Sequence, residues 1–133
     1  MSVKIELPWP PTVNNYWVSR VVTPRKGKPF VAVAIGKPGR QFRTDVQAII
    51  WHRFGILKPS EARVSVSITA HPPDRRDRDI DNILKALNDA LTHAGVWRDD
   101  SQIDRLSIER GVVRSPGCVV VEIERIPQPK TLL

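Results

Sequence analysis

Disulfide chemistry is closed to this chain. Its one cysteine, Cys118, has no partner for an intrachain bridge, which fits a reducing compartment. Cys118 opens the apolar run CVVVEI and reads as a buried strand thiol rather than a nucleophile. No Cys/His cluster offers a zinc site. No apolar stretch approaches the roughly 20 residues that a membrane span needs, and the opening MSVKIELPWPP has no apolar signal-peptide centre. The expectation is a cytoplasmic protein with no membrane partner. Internal repeats and low-complexity tracts are absent too. Aromatic residues make up only 6%, yet four of them are Trp, at 9, 17, 51 and 97.

What remains is a basic chain of 133 residues with a net charge of +7. Its length suits one domain with one core. The charge points to a polyanionic partner, with nucleic acid ahead of an anionic membrane surface. Acids are missing altogether from residues 20–43, where Arg20, Arg25, Lys26, Lys28, Lys37, Arg40 and Arg43 fall together. Seven cations without one acid suggest a phosphate-contacting arm rather than a solvated loop.

Apolar spacing predicts the elements. Residues 2–7 and 62–70 alternate as strands, and 18–33 reads as a hairpin with the basic tip PRKGK. Phe42, Val46, Ile49, Ile50 and Phe54 recur at helical spacing, with Gly55 as the stop. A second helix is expected at about 80–94, ended by Gly95. Residues 104–112 and 118–126 alternate again, with SPG at 115–117 as the turn between them. Residues 127–133 read as a frayed tail. The order gives an α+β fold: a mixed β-sheet with two main helices packed on it, in a single domain over 1–133, with a basic loop at about 18–43.

The densest chemistry lies in PDRRDRDIDNILKALNDAL, residues 73–91. Three acids and three arginines alternate from Asp74 to Asp79. On a helix starting at Ile80, residues Ile80, Ile83, Leu84, Leu87, Leu91 and Ala94 form the buried stripe. Asp81, Lys85, Asn88 and Thr92 border it, with Asp81 and Lys85 as an i,i+4 pair. Capping accounts for one aspartate at a helix start. It does not account for Arg75, Arg76 and Arg78 in the same turn. Carboxylates converging on Mg²⁺ do account for it, with the guanidiniums gripping flanking phosphates. A further acid is expected from WRDDSQID at 97–104, where Asp99 and Asp100 both qualify: one to cap a turn, the other to point inward beside the helix. Asn14, Asn15 and Tyr16, after a rigid Pro-rich turn, are placed to touch DNA. Trp9 and Trp17 also read as simple core, the commoner use of such residues. His71 reads as a hydrogen-bonded structural residue, and His52 and His93 carry no role.

The stretch PDRRDRDIDNILKALNDALTHAGVWRDDSQI resembles the signature region of the RusA-type Holliday-junction resolvases. It shares their Pro-Asp-Arg-Arg opening, Asp-x-Asp-Asn pair, Lys four residues later and Gly-x-x-x-Asp-Asp turn. LPWPPTVNNYW matches the family's Pro-Trp-Pro-Pro start and paired Asn. The resemblance implies that the essential acids are Asp79, Asp81 and Asp100, that the essential lysine is Lys85, and that Arg78 is the arginine before the first acid. It implies a homodimeric endonuclease, dependent on Mg²⁺ or Mn²⁺, that cuts four-way DNA junctions symmetrically in recombination and repair. A prophage origin fits such a protein. Asp77 departs from the family by interrupting its arginine run, and 18–43 matches no family motif. Two other functions fit the same residues: a metal nuclease for other branched DNA, and a basic DNA-binding module whose acids only cap helices.

Overall fold

The computed structural model describes residues 2–127. Strand β1 (Ser2–Pro8) leads through Trp9, two prolines and Thr12 into a single helical turn, α1 (Val13–Tyr16). The hairpin β2 (Trp17–Val22) and β3 (Phe30–Ile35) follows, then helix α2 (Lys37–Phe54) and strand β4 (Val64–His71). A 3₁₀ turn at Ile80–Ile83 precedes helix α3 (Leu84–His93), and a second at Asp100–Gln102 precedes β5 (Ile103–Arg110) and β6 (Cys118–Arg125). The tail at 128–133 lies outside the described residues. No helix of the described chain is long and apolar enough to cross a membrane.

The fold is α+β, as the alternation of strand and helix patterns predicts. The main sheet has the order β1-β6-β4-β5, while β2 and β3 form a separate two-stranded sheet. β4 is central. Its Val66, Ile68 and Ala70 are buried and alternate with Ser65, Ser67 and Thr69, so one sheet face carries the helices and the other is polar. Helices α2 and α3 bring Phe42, Val46, Ile50, Leu87 and Leu91 onto the apolar face, against Ile5, Leu7, Val119 and Val121. Pro38 in the first turn of α2 pre-sets its dihedral angle, and Gly55, at φ 79°, stops the helix.

Two sequence expectations change. Residues 115–117 do not join a hairpin, because β4 lies between β5 and β6. The 111–117 segment instead passes across the end of β4, held by Gly111 N–H to the Ala70 carbonyl and Arg114 N–H to the Pro72 carbonyl. His71 Nδ1 donates to the Val112 carbonyl at 2.9 Å, the structural role expected of it. A Cβ on Gly111 would stand 2.5 Å from that ring. The second change is at the predicted 80–94 helix, whose first turn is 3₁₀ and which becomes α-helical only at Leu84.

Because β4 and β5 run parallel, the chain between them must cross from one end of the sheet to the other. This βαβ unit carries the predicted acids, and its topology decides which of them meet.

Candidate active site

β4 ends at His71, and Pro72 and Pro73 stop the ladder. The alternating charges that follow partly answer one another. Arg78 Nη1 lies 2.7 Å from the Asp74 carboxylate and donates to the Asp74 carbonyl, while Arg76 N–H donates to Asp74 Oδ1. The Arg78 bond, with help from Arg76, holds the Asp74 carboxyl below the ordinary range. Asp74 and Arg78 therefore clamp the turn. Arg78 also lies over the Trp9 ring, 5.9 Å from its centroid, so the guanidinium is committed within the protein. Arg75, Arg76 and Asp77 are exposed.

Asp79 stands at the cap position of the 3₁₀ turn in extended conformation (φ −74°, ψ 129°), yet its side chain caps nothing. Asp81 sits within that turn. Both carboxylates are exposed, and among the described residues neither holds an ion pair. Helix capping thus fails to explain either acid. Asp79 borders a cleft of about 380 Å³, lined also by Trp9, Thr12, Arg78, Asn82 and Arg110. Arg110 ends β5 and donates from Nη2 to the Arg78 carbonyl at 2.6 Å. Sequence reasoning missed Arg110, because a basic residue closing an alternating strand carries no signal of its own. Asn82 stood within the quoted Asp-x-Asp-Asn pair without a role. Trp9 is partly buried: it packs against the core and also walls the cleft.

Lys85 does not pair with Asp81. The 3₁₀ turn, at three residues per turn, breaks the α-helical spacing that such a pair needs. Its ammonium lies instead 6.0 Å from the Trp17 ring centroid. Trp17 is partly exposed and packs edge-on against Tyr16, with centroids 5.1 Å apart. Tyr16 is fully buried, so it cannot touch DNA as expected. Its hydroxyl donates to Asp89 Oδ2, which also accepts from Arg43 Nε at 2.6 Å. Burial, then the bond to Asp89, pushes the Tyr16 phenol up to about 12. Burial also works against ionised Asp89, but bonds from Arg43 and Tyr16, with the charges of Arg43 and Lys85, hold its carboxyl below the usual value. Gly39 lets α2 pass this closely, since a Cβ there would lie 2.9 Å from the Tyr16 ring. The network ties the hairpin root to α2 and α3. Asp89, one turn beyond Lys85, was the unread clue in the sequence.

Asp100 is elsewhere. Asp99 forms a capping box with Gln102, and bonds to Ser101 lower its carboxyl. That leaves Asp100 exposed in the 3₁₀ turn before β5. Arg63 Nη2 donates to the Ser101 carbonyl and Gln102 to the Ser60 and Ala62 carbonyls, which pins this turn beside the start of β4. Asp79 lies at the other end of the sheet, beside Ala70 and Arg110. At about 3.3 Å per residue, the eight-residue strand β5 separates the two by about 20 Å. Residues 97–104 therefore do not fold back beside the start of the helix. Accordingly, no three His, Cys, Asp or Glu side chains gather into a metal-holding group among the described residues. One chain brings Asp79, Asp81 and Lys85 to one end and leaves Asp100 at the other.

The hairpin with the basic tip forms as predicted, and Arg20, Arg25, Lys26 and Lys28 are exposed on it. Asn14 and Asn15 are exposed at its root. The arm loses two members: Arg43 bonds Asp89, and Arg40 donates to the Ile35 carbonyl at 2.7 Å. Cys118 is half-buried and near Glu6; burial first, then that charge, pushes its thiol up, away from nucleophilic character.

Known proteins bear on this arrangement. Residues 8–124 match the family model described as Endodeoxyribonuclease RusA. The crossover junction endodeoxyribonuclease rusA of Enterobacteria phage HK97 is 37% identical over 120 residues, covering 90% of this chain and 92% of its own. The Escherichia coli K12 protein of that name is 37% identical over 118 residues, covering 86% and 84%. That of Enterobacteria phage 82 is 36% identical over 115 residues, covering 84% and 82%. With nearly the full length shared on both sides, the chain belongs to the RusA family of crossover junction endodeoxyribonucleases.

Proposed function

We propose that this chain is a Mg²⁺-dependent endodeoxyribonuclease that binds four-way DNA junctions as a homodimer and cuts them in pairs, symmetrically, in recombination and repair. The observation that carries the reading is the state of Asp79 and Asp81: two exposed carboxylates in a basic turn beside the cleft, neither capping a helix nor, among the described residues, held in an ion pair.

The donors fit the ion. Mg²⁺ takes one or two carboxylates and completes its shell with water and substrate phosphate, and Mn²⁺ accepts the same hard oxygen donors. Asp79 and Asp81 would hold it, with Asp100 as the third acid. The ion supplies Lewis-acid polarisation of the phosphodiester and a more acidic water. The protein does the rest. Arg75, Arg76 and Arg110 contact phosphates flanking the scissile one. Arg78, already bonded to Asp74, fixes the turn that aims Asp79. The Lys85 ammonium offsets negative charge developing on the reacting phosphate. Asn14, Asn15 and the hairpin cations Arg20, Arg25, Lys26 and Lys28 extend the DNA footprint.

Two copies are needed on two grounds. Paired cuts on a two-fold junction require two sites related by a two-fold axis. Asp100 also stands about 20 Å from Asp79 in its own chain, so Asp100 of the partner subunit completes each site.

The test compares four-way, three-way and linear substrates under Mg²⁺ titration with nick positions mapped. Paired nicks at symmetry-related positions of the four-way junction are expected. Equal cutting of three-way substrates would favour a general branched-DNA nuclease, and binding without Mg²⁺-dependent cutting would leave only a binding module. A second expectation concerns the arm. Replacing Arg25, Lys26 and Lys28 together by Ala should weaken junction binding and lower the slope of log affinity against log salt by about 3 units, about one for each phosphate no longer neutralised. An unchanged slope removes the hairpin tip from the DNA interface.

A further inference from the structure

Two valines stand in water close to the cleft. Val112 is 69% exposed and Val113 44%, and neither belongs to the core. They lie in the run RGVVR, residues 110–114, and no acid occurs from Arg110 to Val121. Valines scattered on a loose loop would carry no meaning. These are held in place. The segment is fixed at three points: Gly111 N–H to the Ala70 carbonyl, the Val112 carbonyl to the His71 ring, and Arg114 N–H to the Pro72 carbonyl. Two apolar side chains are thus presented rigidly to solvent, with an exposed arginine on each side. Both ends of the segment abut the candidate site. Arg110 and Pro72 line a recess together with Asp79, and a Cβ on Gly117 would lie 3.0 Å from both Trp9 and Pro73.

We propose that Val112 and Val113 form an apolar wedge that packs on the base-pair face opened at the branch point of a four-way junction, and so select branched over linear DNA. The proposal rests on the junction-nuclease reading and names the surface that senses the branch. A linear duplex buries every base-pair face in its stack. At a branch point the strands leave the stack, and the flat faces of the last pairs become available to apolar groups. Apolar side chains inserted at such steps, with cations nearby on the phosphates, are how proteins hold kinked DNA. The order of this segment supplies both parts: Arg110 and Arg114 for phosphates, and the valines between them for bases. A second copy of the chain is the poorer occupant. A two-fold contact here would bring together the arginines of two chains that each carry a net charge of +7. A wedge fixed beside Asp79 also sets the distance from branch point to cut, so nicks fall at a constant offset from the crossing.

The test uses the full chain without metal. A four-way junction carries 2-aminopurine at the branch-point pair, where its fluorescence rises on unstacking, and a linear duplex carries the same label. Wild-type binding should raise the junction signal by at least about twofold and leave the duplex signal unchanged. Substituting Val112→Ser and Val113→Ser together should remove most of that rise. It should also lower the ratio of junction to duplex affinity by about tenfold, the factor lost with roughly one buried valine contact. The slope of log affinity against log salt should not change, because no phosphate contact is removed. Val112→Ile with Val113→Ile keeps the apolar wedge, so it should keep both the rise and the ratio, which guards against a folding defect in the serine variant. A wild-type junction signal that stays flat overturns the proposal. So does a serine variant that retains the full rise, or one that loses junction and duplex binding equally. A serine variant that changes oligomeric state in sedimentation velocity also overturns it and assigns the valines to a second copy. Because binding is read without metal, a wild type that selects junctions but fails to cut them in Mg²⁺ counts against the metal reading alone.

Discussion

Asp81→Asn should abolish Mg²⁺-dependent junction cleavage while leaving junction binding intact or slightly tighter. The side chain is exposed and supports no packing, no cap and no ion pair among the described residues, so its loss costs the fold little. Asn keeps the shape and one carbonyl oxygen but removes the charge that a hard cation requires. Metal assistance contributes several kcal/mol to phosphoryl chemistry, and about 1.36 kcal/mol is a factor of ten in rate. Single-turnover cleavage should therefore fall by at least about 10³-fold. With no metal bound, removing a negative charge next to phosphates cannot weaken their attraction, so binding measured without metal is the control. Cleavage within about tenfold of wild type would move the metal elsewhere.

The fold was largely legible because its signals are local. Strand alternation at 62–70, helical spacing from Phe42 to Phe54, and glycines at 55 and 95 each depend on a few neighbouring residues. Long-range pairing is not local. Nothing in SPG distinguishes a hairpin turn from a segment crossing the end of β4, and that distinction lies in which strands share hydrogen bonds. The 3₁₀ start of the second helix was hidden because Ile80, Ile83 and Leu84 suit either helix type over a single turn.

The placement of the candidate residues was legible where it is local. Asp79, Asp81 and Lys85 lie within seven residues of sequence, so they share one end of the sheet. Asp100 needed the topology: a parallel β4–β5 pair forces the intervening helix to span the sheet, so an acid just past the helix lands at the far end. The rivalry between Asp99 and Asp100 resolves through the capping box, which consumes Asp99. Trp17 and Tyr16 exchange expected roles, since exposure depends on how the hairpin root packs. Arg43 and Arg40 were counted as free cations, although their partners, Asp89 and the Ile35 carbonyl, lie in other elements.

Mixing two inactive proteins should restore nicking. Asp81→Asn and Asp100→Asn are each expected to be inactive alone. If each site takes Asp79 and Asp81 from one copy and Asp100 from the partner subunit, a mixed dimer has one site with both lesions and one with none. Random exchange at equal concentration makes about half of the dimers mixed, so about a quarter of all sites are intact. Nicking of one strand should return toward that fraction of the wild-type rate, whereas paired cutting should not, because no mixed dimer has two working sites. If all three acids came from one chain, every site in every dimer would carry a lesion and mixing would restore nothing.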